Sequence, residues 1–451
     1  MAAETIVAIS TPPGEGGVGL VRLSGPQAFA IGRRIVRCRV PLGQRIRHVE
    51  HGSVVVAGRR IDTALAWVLK GPCSFTGEDT VEISCHGSRA ILDAVVAEAV
   101  RRGAVVARPG EFTRRAFLSG KIDLVQAEAV IELVRAEGLH GVEAAYGQAS
   151  GELSRLLQLL RRGVVGALAR LEAQLDFPEE EDVAMDGESV MQELLAAAAM
   201  ADRLVDTFAG ARRRQEGVLV AIVGLPNVGK STLLNALLGE PRAIVAAAPG
   251  TTRDLVEGRT VWGGESVRLV DTAGLRGGGD SAEAEGVRRA REVAAQAALV
   301  LAVVDGSVGW AGPEGEMLEG LGGERVVVVL SKADLGLLKA AGDGEVRGRP
   351  SLAVSALSGE GVEGLVQEAL RQLPRNESVE GVAIMRERHR DALARLSHRL
   401  RAAAGVLEVG QAPECAAGEV KEAGEIIGEL LGERVDEAVL DRIFAEFCVG
   451  K

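Results

Sequence analysis

The sequence predicts a multidomain protein of mixed α+β and α/β class: an N-terminal α+β domain, a discontinuous helical domain, and a doubly wound α/β domain inserted into the helical one. Three observations predict it. The 451 residues exceed one ordinary core, and about 150 residues per domain gives about three domains. The first quarter of the chain reads as short β-like runs. Helical periodicity then lies on both sides of a block of apolar strand-like runs.

Runs at 6–10, 18–23, 53–56, 64–69 and 81–85 are separated by Gly and Pro turns, with one helix-like stretch at 90–102. That pattern predicts a compact α+β domain. Further on, Leu153, Leu156, Leu157, Leu160, Val164, Leu168, Leu171 and Leu175 recur at three- and four-residue steps, the period of an amphipathic helix packed on other helices. The acidic, proline-containing segment 176–182 ends it. Apolar runs at 218–223, 267–270, 298–304, 326–330 and 352–354 then look like buried parallel strands alternating with helices. Helical spacing resumes with Leu393, Leu396 and Leu400, and again with Val420, Ala423, Ile427 and Leu430. The expected boundaries are 1–119, 120–215, 216–375 and 376–451, and such an insertion is tolerated because domain termini often lie close together.

Composition excludes several classes. A net charge of -11 opposes non-specific coating of nucleic acid, which needs a broad basic surface. The start has no basic region followed by an apolar stretch, and no apolar run reaches the ~20 residues that span a bilayer. No membrane association and a cytoplasmic location are expected. Cys38, Cys73, Cys85, Cys415 and Cys448 are odd in number and form no CxxC pair, so neither a disulfide framework nor a zinc cluster is indicated. Aromatics make up 3% of the chain, which leaves Val, Leu, Ile and Ala to build the cores.

The most specific chemistry lies at the first strand of the inserted domain. Gly224 opens an eight-residue loop ending Asn227, Val228, Gly229, Lys230, Ser231, between an apolar strand and a helix that begins with Thr232. This is the context of a phosphate-binding loop. Backbone N–H groups converge on phosphates at a helix N-terminus, Lys230 neutralises the β- and γ-phosphates, and the Ser231 hydroxyl ligates Mg²⁺. Asp271, Thr272, Ala273 and Gly274 follow the next apolar run, placing Asp271 near the Mg²⁺ water shell and the Gly274 N–H near the γ-phosphate. Ser331, Lys332, Ala333 and Asp334 follow another. The Asp334 carboxylate can accept from the N1–H and exocyclic amine of guanine, which adenine cannot match. Ser355, Ala356 and Leu357 would close over the base. The expected ligand is GTP with Mg²⁺.

These blocks resemble the TRAFAC-type small GTPases, with two departures. Ser331 stands where that group usually has Asn, so the amide's contacts to base and phosphate loop are lost or replaced. Leu275 stands where Ras-like switches carry the Gln that orients water. The acidic, glycine-rich stretch that follows offers Glu283 and Glu285 as carboxylates, or is a solvated linker. Asn227 resembles the corresponding residue of potassium-activated GTPases. That resemblance implies K⁺ held by Asn227 and by the switch segment Ala246, Ala247, Ala248, Pro249, Gly250, Thr251, with Ala246, Ala248 and Thr251 as its ligands. Thr252 would close on Mg²⁺.

Three further segments carry a family resemblance. The N-terminal run from Thr5 to Gly25, the run from Arg108 to Leu124, and the final Phe447, Cys448, Val449, Gly450 and Lys451 resemble the MnmE family of tRNA-modification GTPases, also called TrmE. The likeness spans essentially the whole chain. It implies a Ras-like GTPase domain, an N-terminal domain that dimerises and holds a 5-formyl- or 5,10-methylene-tetrahydrofolate, and a heterotetramer with the flavoprotein MnmG. The implied reaction is C5 modification of the tRNA wobble uridine (U34) with an aminomethyl or carboxymethylaminomethyl group. By motif it places folate contacts at Arg22, Glu82, Lys121 and Lys451; without it, these read as ordinary surface charge. It places the water-positioning carboxylate at Glu283, with Glu285 as competitor. Cys448 is either a nucleophile or redox thiol, or a buried small hydrophobe beside Phe444 and Phe447 that anchors the tail. Other readings are a ribosome-assembly GTPase of the Era or Der type that binds rRNA, and a GTPase that assembles through its nucleotide-bound surfaces without further chemistry.

Overall fold

A computed structural model describes residues 4–136, 138–176, 187–239, 256–271, 292–308, 317, 319–320, 325–336, 345–346, 348–373, 382–409 and 413–451. In chain order the elements are β1 (Ile6–Ile9), β2 (Gly16–Ser24), α1 (Ala28–Ile35), β3 (Val36–Cys38), β4 (Glu50–Val56), β5 (Arg59–Leu69), β6 (Thr80–Gly87), α2 (Arg89–Arg101) and β7 (Val105–Val106). Helices α3 (Glu111–Leu118), α4 (Leu124–Arg135), α5 (Leu139–Ala149), α6 (Glu152–Asp176) and α7 (Gly187–Glu216) follow. Next come β8 (Val218–Gly224), α8 (Lys230–Leu238), β9 (Val256–Trp262), β10 (Glu265–Asp271), β11 (Leu299–Asp305), β12 (Val326–Ser331), β13 (Glu345–Val346), β14 (Arg349–Ala353) and α9 (Val362–Gln372). The chain closes with α10 (Glu387–Glu408), α11 (Pro413–Leu431) and α12 (Glu437–Ala445). Among the described residues no helix is long and apolar enough to cross a membrane.

The chain divides into two compact units, one of Met1–Val134, Tyr146–Asp202 and Asp391–Lys451, the other of Arg135–Ala145 and Arg203–Arg390. The first unit holds a sheet in the order β3-β4-β5-β6-β2-β1-β7, antiparallel except for β1 with β7. Val21, Leu23, Val81 and Ile83 alternate onto one face and meet Ala28, Ile31 and Ile35 of α1 and Leu92, Val95 and Ala99 of α2. The same unit brings α6 against α11, segments far apart in sequence, so the interrupted helical pattern is one packed structure. Buried Leu153, Leu157, Leu160, Val164 and Leu171 mark the apolar stripe of α6; Leu156, Leu168 and Leu175 are only half-buried.

The second unit is the doubly wound sheet, ordered β13-β14-β12-β11-β8-β10-β9. Strands β14, β12, β11, β8 and β10 are parallel. Both faces are covered, one gathering Val220, Ile222, Leu301 and Val303 with Leu233 of α8 and Leu365 of α9, the other Ala221, Val223, Ala302 and Val304. This is why these strands read as continuous apolar runs rather than alternating ones.

Helices α1 and α3 and strands β3, β7, β9 and β13 were not among the elements expected from sequence. Helix α1 spans two turns, too short for a sustained period, although Ala28, Ile31, Gly32 and Ile35 do recur on one face. Strand β9 is an antiparallel edge paired with β10 through a Gly263-Gly264 turn. Its polar and charged residues hide it from a search for apolar runs.

One glycine of this unit tests how tightly the fold constrains the chain. Gly361, the residue before α9, has φ 77, and a Cβ there would lie 2.2 Å from the Ala353 carbonyl of β14. Gly361→Ala is expected to lower the urea midpoint by the equivalent of at least ~1 kcal/mol, the cost of a side chain in the left-handed region before any clash is counted. An unchanged midpoint would show that β14 yields freely.

Candidate functional site

Parallel strands deliver their C-terminal ends to one edge of the sheet, and in such sheets ligands bind outside that edge. Here the edge collects the loop after β8, Asp271 at the end of β10, Asp305 at the end of β11, Ser331 at the end of β12 and Ser355 just after β14. The loop after β8 turns through Asn227 at φ 63 and Gly229 at φ 96 before α8 begins. Val228 is buried and packs into the core, which fixes the loop to the sheet.

Lys230 is 5% exposed and donates from Nζ to the Leu225 carbonyl at 2.7 Å. Its ammonium is thereby folded back over the loop's own backbone. The Ser231 hydroxyl donates to Asp271 Oδ2 at 2.8 Å, and Asp271 is buried. Two oxygen ligands of the hard kind that Mg²⁺ prefers therefore stand side by side. Thr232 is exposed on the first turn of α8.

Ser331 is buried, and its hydroxyl lies 2.6 Å from the Val228 carbonyl and 3.0 Å from the Val304 carbonyl. A contact to the phosphate loop is thus made by a hydroxyl at the position where an amide was expected to be missed. Lys332 has φ 60 and an Nζ 2.7 Å from Asp305 Oδ2. Asp334 is exposed in the 3-10 turn Ala333–Leu335. The Ala333 amide donates to the Val354 carbonyl at 3.3 Å, tying this loop to the next. Ser355 is fully buried; its amide donates to the Glu360 carbonyl at 2.9 Å and its hydroxyl accepts from the Ser358 amide at 3.3 Å. Ala356 is partly buried and Leu357 is exposed. Ala246, Ala247, Ala248, Pro249, Gly250, Thr251, Thr252, Thr272, Ala273, Gly274, Glu283 and Glu285 lie outside the described residues.

Sequence reasoning missed Asp305, although the signal was present. A carboxylate at the C-terminal end of a buried parallel strand sits at the ligand edge by topology alone.

The first unit assembles a second group. Val21 and Leu23 face the core, so Arg22 faces away from it, and the same alternation turns Glu82 outward between Val81 and Ile83. The two are cross-strand partners, with Arg22 Nε 2.7 Å from Glu82 Oε1. The Arg22 guanidinium also stands 5.6 Å from the centroid of the buried Phe112 ring. The carboxyl-terminal tail reaches the same place. The Gly450 carbonyl accepts from Ser10 Oγ at 3.2 Å and from Arg22 Nη1 at 3.4 Å, and the Phe112 amide donates to the Lys451 carbonyl at 3.2 Å. Gly450 has φ 95, and a Cβ there would lie 2.3 Å from the Ile9 carbonyl.

Lys451 is half-buried. Lys121 is exposed, donates to the Pro72 carbonyl at 2.8 Å, and shares no hydrogen bond with Arg22, Glu82 or Lys451 among the described residues. Cys448 is exposed, which removes the reading of it as a buried hydrophobe. The tail is anchored by Phe444 and Phe447 instead, both buried with ring centroids 5.5 Å apart.

Two family models match. The MnmE helical domain covers residues 124–448 and the GTP-binding protein TrmE N-terminus covers 5–121. The chain belongs to the MnmE family of tRNA modification GTPases. It is similar over its whole length to proteins named tRNA modification GTPase MnmE. These include those of Symbiobacterium thermophilum (42% identity over 463 residues, 100% of each chain), Moorella thermoacetica (41% over 465 residues, 100% of each) and Syntrophotalea carbinolica (40% over 459 residues, 99% of each).

Ser331→Ala removes the donor shared by Val228 and Val304. Amide exchange across residues 225–229 is expected to quicken about tenfold or more, in line with the ~1–3 kcal/mol cost of stranding a buried acceptor. Exchange at the wild-type rate would mean the hydroxyl restrains nothing.

Proposed function

We propose that the protein hydrolyses GTP at the edge of the second unit's sheet and serves C5 modification of the wobble uridine (U34) of tRNA. It does so as a homodimer joined with the flavoprotein MnmG in a heterotetramer. The observation that carries the reading is the convergence of Lys230, the Ser231–Asp271 pair and Ser331 at one sheet edge in a chain whose family match runs its full length. Membership over that length favours tRNA modification above ribosome assembly of the Era or Der type.

In this reading Lys230 leaves the Leu225 carbonyl for the β- and γ-phosphates, and Ser231 with Thr252 holds Mg²⁺, which neutralises phosphate charge when bound. Asp271 orients the metal's water shell. Asp334 accepts from the guanine edge, while Lys332, Ala333, Ser355, Ala356 and Leu357 enclose the base. Asn227 with the carbonyls of Ala246 and Ala248 and with Thr251 holds K⁺, the cation that replaces an arginine at the transferring phosphoryl. Glu283 positions the attacking water, with Glu285 as the alternative. Rates of GTP hydrolysis in K⁺ and in Na⁺ test the cation. K⁺ is expected to be faster by roughly 10²-fold, the scale of one transition-state stabiliser, and equal rates would refute it.

The first unit supplies the carbon in this reading. Arg22 and Lys451, joined by Lys121, hold the carboxylates of a 5-formyl- or 5,10-methylene-tetrahydrofolate, and Glu82 accepts from its pterin ring. The Arg22–Glu82 pair and the Phe112 ring beneath the guanidinium hold both side chains before any ligand arrives. The exposed thiol of Cys448 sits beside this group and is available as nucleophile or redox partner. Mass spectrometry of tRNA from a deletion strain is the deciding experiment. The strain is expected to lack the U34 modification, the wild-type gene to restore it, and Arg22→Ala to fail. An unmodified pattern of U34 in wild type as well as deletion strain, or full restoration by Arg22→Ala, would sink the tRNA reading or the folate reading respectively.

A further inference from the structure

The end of β11 carries a carboxylate that the nucleotide reading does not use. Asp305 accepts from Lys332 Nζ at 2.7 Å through Oδ2, and from the Ser307 hydroxyl and amide at 2.6 and 3.0 Å through Oδ1. Its side chain is 14% exposed. Burial pushes the carboxyl up, but the hydrogen bonds from Lys332 and Ser307 outweigh that and hold it below the usual carboxylate range. The group is therefore anionic at neutral pH.

Its partner Lys332 has φ 60, the left-handed region that a residue with a Cβ adopts only at a cost. Such a conformation persists where the surroundings over-determine it. Three bonds do so here: Asp305 with the ammonium, the Gly306 amide with the Ser331 carbonyl at 3.0 Å, and the Leu335 amide with the Lys332 carbonyl at 3.0 Å. The last of these closes the 3-10 turn that carries Asp334.

We propose that Asp305 is a positioning residue for guanine recognition: by holding Lys332 in the left-handed conformation it fixes the direction from which the exposed Asp334 meets the base. The proposal rests on the guanine-nucleotide reading of this edge. Asp305 touches no substrate and acts through Lys332 alone. Glycine at 332 would adopt the same φ without side-chain cost and would have no ammonium to tether. In that background the carboxylate has nothing to position.

The test is a titration of the full-length protein with fluorescent guanosine diphosphate and its inosine counterpart, for wild type, D305N, K332G and the double variant. Inosine lacks the exocyclic amine, so the guanosine-to-inosine affinity ratio reads the Asp334 contact itself. D305N is expected to weaken guanosine diphosphate about tenfold, the scale of one charge-assisted hydrogen bond, and to lower the ratio. With K332G present the same substitution is expected to change both by less than about twofold. Equal losses in the two backgrounds, or a loss at unchanged ratio, would make Asp305 a support of the fold and overturn the proposal. D305S provides the same comparison if D305N fails to fold. A wild-type protein that binds no guanine nucleotide would instead overturn the nucleotide reading.

Discussion

The Ser331 hydroxyl, between the carbonyls of Val228 and Val304, joins three segments distant in sequence at the edge where the sheet's loops converge. A hydroxyl has one hydrogen and serves one carbonyl at a time, whereas an amide has two N–H donors and a carbonyl. Serine here keeps a link between base loop and phosphate loop, but it has no second donor to spend on a nucleotide. More of the task of fixing the base loop then falls on its neighbours. Asp305 beside Lys332, and the Ala333 amide on the Val354 carbonyl, are the bonds that take it up.

The convergence itself is a property of parallel topology. Strands β8, β10, β11, β12 and β14 all end at one edge, so residues spread over more than a hundred positions arrive together. Each arrives at the end of a rigid strand, which places it more firmly than a free loop would. The short distances at Ser231–Asp271 and Lys332–Asp305 follow from that registration. Asp305 and Ser331 are direct register partners across β11 and β12.

The sequence revealed this site well because its elements are buried on both faces and read as unbroken apolar runs with polar residues at their ends. It was less revealing where residues alternate or elements are short. Strand β9 carries Glu257, Arg259 and Thr260 and passes for a loop. Helix α1 has two turns and a central glycine. The exposure of Cys448 was not legible either, since Phe444, Phe447 and Cys448 look equally suited to an apolar cluster. Only the packing distinguishes the two rings that enter the core from the thiol that does not. Asp305 was legible by topology and was missed because attention followed known motifs rather than strand ends.

The first unit's group depends on a different constraint. Arg22 and Glu82 follow from strand period alone: each sits between two core-facing residues, and antiparallel register sets them opposite one another. The tail's arrival cannot be read locally, because Ser10 and Gly450 are 440 positions apart. What fixes the tail is backbone, not side chain. The Gly450 and Lys451 carbonyls accept from Ser10, Arg22 and Phe112, and the positive φ of Gly450 lets the chain pass against the Ile9 carbonyl where a Cβ has no room. A near-terminal glycine that looks like a flexible end is therefore the residue that allows the tail to reach β1 and β2. The Lys451 side chain, exempt from holding the tail in place, is left with its charge beside Arg22.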